Sequence, residues 1–230
     1  MSLAFDVISD LNVVDADNWS WEHKATSLYC IICGNISSES STVYKVLKKL
    51  SKNYLGVFYI GGSIEFDNMY KVRYKHAELS RICRSIGNVA YLHNHVVIVD
   101  GVAIIGAVGW NSVRNPYDLM QEILSDKLRQ QDYEYLKGTI ERLQVHMDVK
   151  KIIIATHCVP DTRLYFGQMP DTIDVHVPIN VVLRSDTEHK ITHWVYGEHH
   201  DATNIEIDGV TYINNACGDR PNYNAKRIAF

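Results

Sequence analysis

The sequence predicts a single α/β layered domain. Three observations lead there: apolar runs that punctuate the chain, Asp-Gly pairs set between such runs, and amphipathic segments that separate them. Short apolar runs bounded by polar residues or glycine are the mark of strands, and they fall at 4–9, 27–33, 55–61, 96–101, 102–109, 151–157, 193–197, 202–208 and 210–214. The first, second, third, sixth and seventh are apolar almost throughout, as strands covered on both faces are. Asp100-Gly101 and Asp208-Gly209 each lie between two runs, so each predicts a hairpin with a two-residue turn. Apolar residues at three- and four-residue spacing predict helices over 41–53, 75–87 and 132–147. Between 115 and 132 the chain is polar, aspartate-rich and partly helical. No repeat, linker or low-complexity stretch divides the 230 residues, a length one domain fills.

Composition narrows the function. With 23 basic and 27 acidic residues, and no basic stripe, the chain lacks the electrostatic footprint of a nucleic-acid or anionic-membrane binder. Its first residues reach Asp6 without the basic start and long apolar run of a secretory signal. No stretch approaches the roughly 18 apolar residues of a membrane helix. Five scattered cysteines, an odd number, predict a reduced cytoplasmic setting. Cys30 and Cys33 lie inside an apolar run and read as buried strand residues rather than a redox or zinc pair.

Catalytic groups gather past the carboxyl ends of buried strands. The strand ends here are Asp10 and Asn12; Gly34-Asn35; Gly62-Ser63-Ile64-Glu65; Thr156-His157; and Gly197-Glu198-His199-His200. Oxygen and imidazole donors from five strand ends are the constellation a divalent metal requires.

In this order VISDLN, IICGNIS, YIGGSIEFD, IIATHCVP and WVYGEHH resemble the motif series of the metallophosphoesterase (calcineurin-like) superfamily. The hairpin end GAVGW at 106–110 is similar to the family's Gly-Ala-x-x-Trp segment. The tail at 204–218 fits the small single-domain phage and bacterial branch, which implies a cytoplasmic protein, in the host cytoplasm if phage-encoded. The resemblance implies a four-layer α/β/β/α sandwich of mixed sheets flanked by helices, spanning 1–230. It also implies a divalent metal site and hydrolysis of a phosphate mono- or diester.

Residue by residue, Asp10, His157 and His200 stand where the family has its own ligands. Asn12 replaces a histidine ligand, Asn35 the bridging aspartate, Ser63 an asparagine ligand and Glu198 another histidine. Ile64 takes the place of the histidine that protonates the leaving group. The resemblance thus makes Asp10, Asn12, Asn35, Ser63, His157, Glu198 and His200 the candidate metal-lining set, and Asn35, Ser63, Glu65 and His199 the candidate catalytic residues.

An amide at Asn35 removes a negative charge from between two dications, which disfavours a dinuclear centre. The remaining oxygen-rich set suits one Mn²⁺ or Mg²⁺ better than Zn²⁺. Losing the acid at Ile64 costs about 10²–10⁴ in rate; His93, His95 and His199 are the candidates to replace it, the first two on one strand face. Two readings follow: a divergent phosphoesterase acting on a phosphate ester, or an inactive scaffold that binds a protein or nucleotide in the old cleft. Trp110 reads as core or as pocket wall. Lys48-Lys49 and the Lys71, Arg73, Lys75 cluster read as solvated faces.

Overall fold

The computed structural model describes residues 3–113, 118–165, 173–174, 179–199, 201–218, 220 and 223–230. His200 lies outside them, so the expectation placed on it has no structural counterpart here.

The elements follow in the order β1 (Ala4–Ile8), β2 (Tyr29–Cys33), α1 (Ser40–Leu50), β3 (Gly56–Ile60), α2 (Val72–Arg84), β4 (Val89–Tyr91), β5 (His95–Val99), β6 (Val102–Gly106), β7 (Ser112–Val113) and α3 (Leu119–Gln144). They continue with β8 (Lys151–Ala155), β9 (Ile173–Asp174), α4 (Ile179–Arg184), β10 (Ile191–Tyr196), β11 (Thr203–Ile207), β12 (Val210–Asn214) and β13 (Lys226–Ala229). One mixed sheet runs β13-β1-β2-β3-β4, and a second runs β11-β12-β10-β8-β6-β5. In the first, β1 to β4 are parallel and β13 joins the edge antiparallel. In the second, β6, β8, β10 and β12 are parallel, and the hairpin partners β5 and β11 close the two edges.

Two cores define the layers. One joins α1 and α2, the first sheet and the inner face of the second, where Ile104, Ile153, Ala155, Val195 and Ile213 point. The other lies between the outer face of the second sheet, with Ile105, Ile152, Ile154 and Trp194, and helices α3 and α4. Period-two alternation along β8 therefore sends Ile153 to one core and Ile152 and Ile154 to the other. The stack is helix, sheet, sheet, helix, the four layers expected.

The helices are held by burial. α1 buries Val43, Val46, Leu47 and Leu50 at helical spacing; each such side chain contributes about 1.5–3 kcal/mol of burial free energy. Both Asp-Gly turns take left-handed backbone at both positions (φ 46° and 82° at Asp100-Gly101, 53° and 80° at Asp208-Gly209), as a two-residue hairpin matched to strand twist requires.

Three expectations change. α3 begins at Leu119 rather than near 132, so the segment after Asp118 is helical from the start, with Asp118 accepting from the Gln121 N–H as its cap. His93 is not on a strand: the chain turns at Leu92–Asn94 and β5 starts at His95. His93 stacks on His76 instead, with ring centroids 3.4 Å apart. Lys49 is not merely solvated. Its ammonium donates to the carbonyls of Ala16, Asp17 and Trp19 and pins the loop after β1 to α1.

Candidate functional site

The carboxyl ends of β1, β2 and β3 in one sheet meet those of β6, β8 and β10 in the other. A backbone bridge from Ser9 to Ala216, with the Ser9 N–H donating to the Asn215 carbonyl, ties the sheets together beside this meeting point. The turns leaving the strands are tight. Asp10, Asn12, Asn35 and Glu198 have φ of 52°, 47°, 55° and 66°, a region that costs non-glycine residues energy and that clusters at functional sites. At Gly34 a Cβ would sit 2.5 Å from His157 Nδ1, and its φ is +82°, so only glycine lets the second strand approach the imidazole.

Asp10, Asn35, Ser63 and His157 are brought together. Asn35 Nδ2 donates to Asp10 Oδ1 at 2.8 Å, and the Glu198 N–H donates to Asp10 Oδ2 at 3.1 Å. Asn35 Oδ1 in turn accepts from the Ile64 N–H at 3.0 Å. His157 Nδ1 lies 2.9 Å from the Cys33 carbonyl, which can only accept; the proton is therefore on Nδ1, and Nε2 faces Ser63 Oγ at 3.2 Å. Ser63 Oγ is also 3.3 Å from Asn35 Oδ1. Asp10 and His157 are buried.

Glu65, also buried, lies beneath the cluster rather than in it. Its carboxylate accepts four backbone N–H groups: Asn35 at 3.0 Å, Ile36 at 2.6 Å, Ser37 at 3.0 Å and Gly62 at 2.6 Å. Burial raises its pKa, opposed by the N–H groups and by His157. The arrangement sets the loops after β2 and β3 against each other.

The other expected residues are placed elsewhere. Asn12 is exposed and joins the site only through its N–H, which donates to the Asn35 carbonyl. Glu198 turns its carboxylate away, Oε2 accepting from the Val159 N–H at 3.1 Å and from Asn111 Nδ2 at 3.2 Å. His199 accepts from the Asp201 N–H at Nδ1 and packs edge-on against Tyr165. Ile64 is half-buried at the position the resemblance gives to the acid. Trp110 is buried against Phe66, ring centroids 5.2 Å apart.

Two participants were not foreseen. Asn111 holds Glu198. Asp132 of α3 accepts from the Gly109 N–H at 2.9 Å and so fixes the loop that carries Trp110; burial pushes its pKa up to about 6. A signal existed, because Asp132 interrupts the apolar spacing of Leu128 and Leu136.

Among the described residues the donor set does not fit a pair of metal ions. None of the side-chain atoms of Asp10, Asn35, Ser63, Glu65, His157 or Glu198 is a buried atom lacking a partner. The NH₂ of Asn35, a donor, points at the Asp10 oxygen that would ligate. Among the described residues no three His, Cys, Asp or Glu side chains are grouped to hold an ion.

No family model matches the chain. A curated relative, an uncharacterised protein of Acanthamoeba polyphaga mimivirus, is 21% identical over 238 residues, covering 90% of this chain and 85% of its own. Among solved structures, the phosphopantetheinyl hydrolase of Mycobacterium tuberculosis superposes with a TM-score of 0.68 at 13% identity, covering 99% of this chain and 96% of that one. GAP50, described as the anchor in the inner membrane complex of Plasmodium, gives 0.57 at 12% identity, over 94% of this chain and 71% of its own. A Staphylococcus aureus protein provisionally assigned as a 5′-nucleotidase gives 0.55 at 14% identity, over 93% and 48%. These likenesses set the fold: two mixed sheets flanked by helices in the metallophosphoesterase-like arrangement. Beyond the fold, similarity at this level assigns no activity. No helix among the described residues is long and apolar enough to cross a membrane.

Proposed function

We propose that this chain is a phosphoesterase-fold binding module for a protein partner, whose old catalytic cleft is closed by hydrogen bonds. The observation that carries the reading is the Asn35 amide donating to Asp10 at 2.8 Å, in the space between groups that would otherwise face a cation. Charge points the same way. No Lys or Arg side chain among the described residues hydrogen-bonds to Asp10, so its carboxylate disfavours a phosphate ester. A protein partner is favoured over a nucleotide for that reason. GAP50 supports the reading in one respect: a protein of this fold is described as an anchor.

A second reading, a phosphoesterase working with a single Mn²⁺ or Mg²⁺, draws on the convergence of Asp10, Asn35, Ser63 and His157 and on the hydrolase among the fold neighbours. Metal analysis of the purified protein, with hydrolysis of p-nitrophenyl phosphate and its bis-ester under added Mn²⁺ or Mg²⁺, separates the two. The binding module holds no stoichiometric ion and turns over neither substrate, whereas Asn35→Asp with Ile64→His in Mn²⁺ gains both. An ion in the wild type, with turnover abolished by His157→Ala, overturns the proposal.

A further inference from the structure

The amino-terminal half of α3 is only partly covered. From Leu119 to Gln130 only Ser125 is buried, while the carboxyl half buries Asp132, Leu136, Ile140 and Leu143 against the second sheet. Met120, Leu124 and Leu128 nonetheless form an apolar stripe at helical spacing along that half. Facing it are the short 3₁₀ turn Met69–Lys71 and the start of α2, and the two banks enclose a groove of about 450 Å³. Two of the large apolar side chains exposed among the described residues, Tyr70 and Met120, line this groove together with Met69, Leu124 and Leu128. Clustering of this kind marks interaction surfaces, since scattered exposed apolar residues need no explanation.

The groove is bridged at one end, and the two charged side chains that line it are both cations. Tyr70 Oη lies 2.9 Å from both carboxylate oxygens of Asp118, joining the banks at one end. Asp126 is already paired with Arg129 at 3.2 Å. Arg73 on one bank and Lys127 on the other both line the groove, are exposed, and have no ion-pair partner among the described residues. An apolar floor between two unanswered cations is complementary to an amphipathic helix with carboxylates flanking its apolar face.

We infer that this groove docks an acidic amphipathic helix of a protein partner. The inference rests on the binding-module reading for its biological sense but uses a different surface. Displayed random 16-residue peptides selected on the full chain, then synthesised and measured by fluorescence anisotropy, test it. The recovered peptides carry net negative charge and apolar residues at i, i+3 or i+4, and i+7. Met120→Glu weakens them at least about tenfold, as loss of a central apolar anchor does. Arg73→Glu with Lys127→Glu weakens them similarly and flattens the salt dependence. All three positions are exposed, so circular dichroism of the variants remains native.

Recovery of neutral or basic peptides, of no binder, or of binders insensitive to these substitutions overturns the inference. So does self-association of the chain that Met120→Glu dissolves in sedimentation equilibrium, or binding to phosphatidylserine vesicles in place of peptides. A stoichiometric metal with turnover defeats the binding-module reading while leaving these peptide outcomes unaltered.

Discussion

Glu65→Gln is the substitution whose effect can be worked most directly from the structure. In the wild type each carboxylate oxygen accepts two N–H groups, Oε1 from Ile36 and Ser37, Oε2 from Asn35 and Gly62. Glutamine keeps the shape but offers one accepting oxygen, and its NH₂ then faces two N–H donors that no water reaches. A hydrogen bond to a charged group contributes about 1.5–3 kcal/mol, and an unpaired buried donor carries a similar penalty, so losing two costs roughly 3–6 kcal/mol. For a chain of this size that lowers the melting temperature by roughly 6–24 °C. Differential scanning calorimetry at pH 7 reads the shift, and urea unfolding reads the free energy. Because both Glu65 oxygens are engaged by backbone N–H groups, the loss requires neither metal nor ligand. A variant melting within about 2 °C of wild type would refute the argument that this carboxylate joins the loops after β2 and β3.

Three further outcomes are expected. The Asp132 carboxyl has a folded pKa of about 6, above its unfolded value of about 3.9. The stability it contributes is therefore complete below pH 4 and lost as pH rises through 6, about 3 kcal/mol in all; urea unfolding between pH 4 and 7.5 shows that slope, Asp132→Asn flattens it, and an unchanged slope contradicts the assignment. Lys49→Met removes the donor to three loop carbonyls and costs about 1–3 kcal/mol, with faster amide exchange confined to residues 16–19; uniform protection there would count against the pin. Gly34→Ala combines a left-handed φ with a Cβ 2.5 Å from His157 Nδ1, so thermal scans should show several degrees of destabilisation, and a neutral result would mean the sheets can part at that point.

Much of this was legible in the chain. Runs covered on both faces gave themselves away as β1, β2, β3, β8 and β10, and Asp-Gly chemistry marked both hairpins. β13 was not legible, because Lys226, Arg227 and Ala229 are exposed and only Ile228 is buried. An edge strand paired through its backbone needs no apolar signature. The early start of α3 was obscured because its first turns leave Leu119, Met120 and Ile123 exposed, and only Leu128 of that stretch packs against the core. At the site, strand-end order brought Asp10, Asn35, Ser63 and His157 into register, since parallel strands fix where their ends fall. Side-chain direction was not so encoded. Glu198 turns toward Val159, and Asn12 faces outward, because each follows a left-handed turn that reorients the side chain.

The Asn35 to Asp10 bond also bears on how such a chain can change over generations. Aspartate at 35 would set two carboxylates where a donor now meets an acceptor at 2.8 Å, and like charges that close force one to hold a proton or move away. Asn35→Asp alone is therefore destabilising, unless a cation arrives in the same step. Positions 35 and 10 are thus coupled: a change at one is tolerated best when the other, or a cation between them, changes with it.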